Sequence, residues 1–187
     1  GIIGQEIRMI EDNPDWQIYS RLLRALYRTH TARTSIAGTV ESISHITAET
    51  LYDCHKAFYT PSNMILTVVG NVDPGEVSGL ARRVLPKEGG PVIPRDYGDE
   101  PEALAERETR QAMEVSSPQF LAGWKCRPAP EGGDRLRHMV LGDLACDLLF
   151  GESSPFYQRL YSQGLIHSSF GGAFELMPGV AYLYAGG

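Results

Sequence analysis

The chain has 187 residues, 42% of them apolar and 21% charged, with a formal net charge of −6. That is material for one sizeable core or two partial ones, and it argues against a disordered chain. The acidic balance, with no basic cluster to offset it, speaks against a nucleic-acid surface, and no apolar run approaches the ~20 residues of a membrane span. Cys54, Cys126 and Cys146 are an odd number without a Cys-x-x-Cys pair, which suits neither a disulfide framework nor a zinc knuckle and points to a reducing, cytoplasmic setting.

The chain opens directly in helical periodicity. Ile2, Ile3, Met9 and Ile10 share a stripe with Glu6, so the spacing predicts a helix that places a carboxylate among apolar neighbours. Such a carboxylate must be exposed, protonated, salt-bridged or bound to a metal, because an unpaired buried charge costs several kcal/mol, roughly. Pro14 ends this helix and begins the next, over about 15–27, whose apolar positions Trp16, Ile18, Tyr19, Leu22, Leu23, Leu26 and Tyr27 recur at the helical period. Arg21, Arg24 and Arg28 form the solvated face of that helix, and a loop runs from His30 to Ser44.

Thr47 can cap a third helix with Leu51, Cys54, His55 and Phe58 on one side, stopped by Pro61. Met64–Val69 is nearly continuous in apolar and β-branched residues, the pattern of a buried strand. Asp73-Pro74-Gly75-Glu76 starts a fourth helix, with a cap, a first-position proline and a carboxylate three residues past the cap. Prolines and glycines amid charge after Leu85 read as an interdomain linker. Beyond it the sequence predicts a strand at 120–124, a buried helix at 134–150 with Leu136, Val140, Leu144 and Leu148 in one column, and a short helix at 155–163. Two strands at 168–176 and 180–184 follow, joined by a turn at Met177-Pro178-Gly179. The mixed order gives an α+β fold of two incomplete units, and both ends look cut: there is no cap before Ile2 and no closing element after Tyr184.

No phosphate loop, nucleophile elbow, Rossmann glycine pattern or paired helical histidines occur. His30, His45, His55, His138 and His167 lack ligand spacing and read as surface or hydrogen-bonded groups, and Cys54 and Cys146 as inert core thiols. Glu6 remains, and its residues alone favour an ordinary salt bridge or partial exposure, with metal ligation the alternative.

Several segments, in order, resemble the pitrilysin/insulinase-type (M16) zinc metallopeptidases, in a bacterial form. They are Ile2-Ile3-Gly4-Gln5-Glu6-Ile7, Ile36-Ala37-Gly38-Thr39-Val40-Glu41-Ser42-Ile43, and Phe58-Tyr59-Thr60-Pro61-Ser62-Asn63-Met64. Leu66-Thr67-Val68-Val69-Gly70-Asn71-Val72-Asp73 and Phe156-Tyr157-Gln158-Arg159-Leu160-Tyr161-Ser162-Gln163-Gly164-Leu165 complete the set.

The resemblance implies parts of two successive LuxS/MPP-like α+β domains. Residues 1–85 would be the C-terminal half of the first, zinc-bearing domain, 86–112 a linker, and 113–187 the N-terminal half of a second, non-catalytic domain. It places Glu6 on the third zinc-ligand position and finds no copy of the His-x-x-Glu-His motif that supplies the other two ligands and the general base. The implied parent is a zinc-dependent endopeptidase acting on peptides or unfolded segments, with peptide as partner and neither nucleic acid nor membrane. The fragment itself is expected to be inactive and to hold no stoichiometric zinc, and no catalytic or substrate residue carries over.

The alternatives are a catalytically inactive subunit serving assembly or peptide binding, and an unrelated small-ligand α+β domain. Because the two family domains share an architecture, elements of the two halves are expected to pair, within one chain as a hybrid domain or between copies as a swapped homo-oligomer.

Overall fold

The computed structural model describes residues 1–86, 89–129 and 134–187. Its elements are α1 (Ile2–Glu11), α2 (Pro14–Leu26), a 3-10 turn (Thr31–Arg33), α3 (Val40–Ser44), α4 (Ala48–Phe58), a second 3-10 turn (Pro61–Asn63) and α5 (Pro74–Val84). They continue with β1 (Leu121–Cys126), α6 (Asp134–Phe150), α7 (Pro155–Ser162), β2 (Gly171–Met177) and β3 (Val180–Gly186). Local chemistry sets most boundaries. Asn13, Thr47, Asp73 and Ser154 each accept a hydrogen bond from the backbone N–H three residues on, and prolines occupy the first turns of α2, α5 and α7.

The helices and strands fall into two compact units, one comprising residues 1–40 with 97–187 and the other residues 41–96. In the first, the strands form an antiparallel sheet in the order β1-β3-β2. The β2–β3 hairpin turns at Pro178-Gly179, where φ of +79° at Gly179 requires a residue without a Cβ penalty. The register separates two faces. On one, Val180 and Tyr182 pack with Leu22, Leu23, Leu26 and Tyr27, so α2 from the N-terminal segment covers the sheet of the C-terminal segment. On the other, Phe174 and Ala181 pack with Cys146 of α6, and Ala185 joins Tyr157, Ile166 and Phe170. The core is a sheet between α2 and the α6–α7 pair.

Helix α6 keeps its predicted span but turns a different face inward. Leu136, Val140, Leu144 and Leu148 are all exposed, and Cys146 is its buried residue. A helix lies close on a sheet through small side chains: Gly142 sits where a Cβ would run into the Phe174 ring. The leucine column therefore points away from the sheet.

In the unit of residues 41–96, no described residue is buried. The predicted strand Met64–Val69 is extended but joins no ladder among the described residues, and Ile65 and Val69 stand 95% and 93% exposed. A strand is made by its partners, and its apolar sequence cannot substitute for them. Cys54, expected in a core, is exposed for the same reason. Of the predicted linker, residues 87 and 88 lie outside the described ones, and the 97–111 segment bonds to α2 and to the turn after it.

Candidate metal-ligand residue and a buried ionic hub

α1 buries a single side chain, Ile7, and leaves Ile2, Ile3 and Met9 exposed at 77%, 60% and 68%. Its predicted apolar stripe is thus an outward stripe, and Glu6 lies exposed within it. The carboxylate makes no hydrogen bond or ion pair with any described residue. Solvent satisfies it in this chain, so the expectation of a carboxylate enclosed by apolar neighbours does not hold. A shallow depression at the α1–α2 junction is lined by Gln5, Arg8, Met9, Asp12, Asn13 and Pro14 and leaves Glu6 out. Among the described residues no three His, Cys, Asp or Glu side chains come together in a way that could hold a metal ion. A catalytic zinc takes about three protein ligands and a water, so the described residues do not by themselves fit one.

The concentrated electrostatics lie elsewhere in the same unit. Glu100, its side chain 7% exposed, accepts hydrogen bonds from the backbone N–H groups of Arg28, Thr29 and His30 at 2.8–3.2 Å and from the Thr29 hydroxyl at 3.0 Å. The Lys125 ammonium lies 2.6 Å away, donates to the Pro101 and Ala103 carbonyls, and sits over the Tyr27 ring. Burial pushes the Glu100 carboxyl up, but Lys125 and the three amides outweigh it and hold it well below the usual carboxylate range.

His30, also buried, accepts from the Ala32 amide at Nδ1 and lies 2.9 Å from the Pro178 carbonyl through Nε2. Nε2 therefore carries the proton and donates. Its ring stacks on Tyr97. Beside the hub, Tyr27 donates to the Ala181 carbonyl and the hydroxyls of Tyr19 and Tyr182 bond to each other, while burial drives the Tyr27 and Tyr182 phenols far above their ordinary range.

The Glu100 carboxylate is thereby held anionic and the Tyr27 and Tyr182 phenols neutral near neutrality, which suits structural cohesion and not proton transfer. The sequence reading missed the hub, although it held a signal. Leu121, Gly123 and Lys125 alternate on one face of β1, and a lysine on an inward face needs a buried partner. Arg21 and Arg28, on the face read as solvated, also bind Gln111 and Thr109, and the Leu104 carbonyl.

A family model described as the peptidase M16 inactive domain matches residues 45–187. This chain belongs to the M16 peptidase family. It is 41% identical, over its whole length and 45% of the relative's, to a Bacillus subtilis protein named uncharacterized zinc protease YmfH. A Mycobacterium leprae protein named uncharacterized zinc protease ML0855 is 36% identical over 81 residues, 43% of this chain and 18% of the relative.

Among solved structures, an M16-like peptidase from Alicyclobacillus acidocaldarius matches with a TM-score of 0.87 and 37% identity, covering all of this chain and 45% of that one. A protease from Helicobacter pylori, at 23% identity and a TM-score of 0.73, covers the whole chain and 46% of its own, and shares the fold. The chain thus spans about half the length of the relatives it matches. Among the described residues no helix is long and apolar enough to cross a membrane.

Proposed function

We propose that this chain contributes one zinc ligand, Glu6, and the opening half of a non-catalytic second domain to a longer zinc-dependent endopeptidase of peptides or unfolded polypeptide segments. The observation that carries this reading is an exposed carboxylate with no partner among the described residues, on an apolar helix face of a chain alignable over its whole length with a protein named uncharacterized zinc protease. In this reading residues 1–85 complete a first domain and 113–187 begin a second. The uncovered faces of α1, α4 and α6 then meet elements that this chain does not contain. The other ligands and the proton acceptor also come from outside the chain, which alone neither retains zinc nor hydrolyses peptide. The unpaired cysteines support a reducing, cytoplasmic setting.

The test uses the longer protein with Glu6→Gln, and Glu11→Gln on the same helix as control. Glu6→Gln should weaken zinc retention by at least about 10–100-fold, the range already seen when a ligand's supporting partner is lost, and abolish hydrolysis of an unfolded polypeptide. Full zinc occupancy and unchanged hydrolysis in Glu6→Gln would refute the ligand role.

The inactive-domain description of residues 45–187 favours a second reading, a catalytically inactive subunit for assembly or peptide binding. A longer protein that holds no zinc and cleaves no peptide would select it. Light scattering of the 187-residue chain tests the homo-oligomeric or swapped form, for which a monodisperse monomer is the excluding result.

A further inference from the structure

The hub has a geometry that no catalytic role explains. Residues 97–111 contain no helix or strand, yet they are bound to α2 and the turn after it along their length. Tyr97 stacks on His30, and the Thr29 hydroxyl donates to the Asp99 carbonyl. The Arg28 guanidinium donates twice to the Leu104 carbonyl, the Glu106 amide donates to the Ala25 carbonyl at 3.0 Å, and Arg21 reaches Thr109 and Gln111. These contacts are polar and mostly at the surface, where each contributes little alone. Glu100 differs, because it is buried and gathers three consecutive amides, a hydroxyl and an ammonium from β1. Beneath the strap lies an open cleft of about 830 Å³ between α2 and β1, lined by Ile18, Leu22, Leu104, Met113, Phe120 and Trp124 among others.

We propose that Glu100 is a latch that fastens residues 97–111 as a brace over this cleft, locking α2 to β1, so that this part of the predicted linker is a rigid strut and not a hinge. The three amides it collects follow the last turn of α2 and have no ladder or helix to protect them. Lys125 ties the same carboxylate to the sheet. Losing the latch takes the shared acceptor from three consecutive backbone donors, of which that of His30 belongs to a buried residue, and from the Lys125 ammonium, which keeps the Pro101 and Ala103 carbonyls, so the penalty is concentrated at one point of the strap. The claim is independent of Glu6 and of any metal, and its readouts require neither hydrolysis nor zinc.

Hydrogen exchange on the 187-residue chain tests it directly. In the wild type the amides of Arg28, Thr29 and His30 should exchange slowly despite lying outside regular structure. Glu100→Gln should accelerate them, and raise tryptic cleavage at Arg107 and Arg110, on the order of tenfold or more. Lys125→Met, which spares the amide contacts, should give a smaller rise at the same places. Amides of β1 and β3 should keep their protection in both variants, which separates release of the strap from general unfolding. Fast exchange at the three amides in the wild type, or unchanged cleavage in Glu100→Gln, would overturn the latch. Equal acceleration throughout the sheet would do so as well, because it would make Glu100 a general stabiliser.

Discussion

The two compact units have comparably apolar helices and opposite fates. In the unit of residues 1–40 with 97–187, α2 and the sheet exclude water from Tyr27 and Tyr182, and α6 on the other face excludes it from Ala181, each at most 1% exposed. In residues 41–96, α4 and α5 are capped as well as α2, yet no described residue is buried and Leu51, Leu66 and Leu80 stand at least half exposed. Capping and periodicity specify a helix, whereas a second apolar surface specifies a core, and only the first unit possesses both. An exposed apolar surface of this extent marks a surface built for another element.

The sharpest way to break this comparison is hydrogen exchange on the 187-residue chain. Amides of β3 should be protected by roughly three orders of magnitude or more, and those of 64–69 close to not at all, because opening free energy follows buried contact. Equal protection in both would refute the contrast.

Thiol reactivity is next in size. Cys54 is exposed, whereas Cys146 is 3% exposed, and burial, aided by Asp143 and Asp147, pushes its thiol up to about 11. At pH 8 only about one Cys146 in a thousand would be thiolate even if reachable. Alkylation followed by peptide mass mapping should label Cys54 at least about a hundredfold faster. Comparable rates would show that α6 does not sit on the sheet as described.

Core truncation follows. Leu26→Ala should destabilise the first unit by about 2–5 kcal/mol, while Leu66→Ala should change stability by less than about 0.5 kcal/mol. Denaturant unfolding followed by Trp124 fluorescence measures the first, and circular dichroism at 222 nm checks the second. A large effect at Leu66 would mean that the 64–69 segment is covered after all.

What was legible in the sequence follows the same division. Helices announced by caps and prolines, at Pro14, Thr47 and Asp73, and the short helix read from Pro155, appear where the sequence puts them. The hairpin at Met177-Pro178-Gly179 was readable because its turn has its own chemistry. Met64–Val69 misled because an apolar run records what a segment needs and not whether this chain supplies it. The α6 leucine column misled similarly: a helix apolar on several sides does not reveal which side meets the sheet, and Gly142 and Cys146 were the better clue. Glu6 was singled out by its stripe and by a resemblance, and its exposure was one of the alternatives its residues left open. Glu100 escaped because its partners lie about seventy residues upstream and twenty-five downstream, a separation that no local pattern encodes.

Acid sharpens the comparison further. Glu100 is held below the ordinary carboxylate range, so its native form binds protons less readily than the unfolded chain does. Its contribution is complete above the unfolded glutamate value near ~4.3 and fades as pH falls toward the depressed native value. The melting-temperature gap between wild type and Glu100→Gln should therefore stay constant from pH 8 to 5 and narrow below about pH 4. A gap that closes already between pH 7 and 5 would mean that Glu100 is not held by Lys125 and the amides.

The smallest expected effect lies in the tyrosine pair that joins α2 to β3. Tyr182 is fully buried and Tyr19 only partly, and their hydroxyls bond to each other. Removing either hydroxyl breaks the same bond, but the two losses should differ. Tyr182→Phe leaves the Tyr19 hydroxyl near water and should cost about 0.5–1 kcal/mol. Tyr19→Phe strands the Tyr182 hydroxyl in the core and should cost about 1–3 kcal/mol, because a buried polar group without a partner bears the full desolvation penalty. The double variant should be no worse than Tyr19→Phe alone, since two absent hydroxyls leave nothing unsatisfied. Equal single losses measured by denaturant unfolding would place both hydroxyls in the same environment, and the burial gradient across the face between α2 and the sheet would then be wrong.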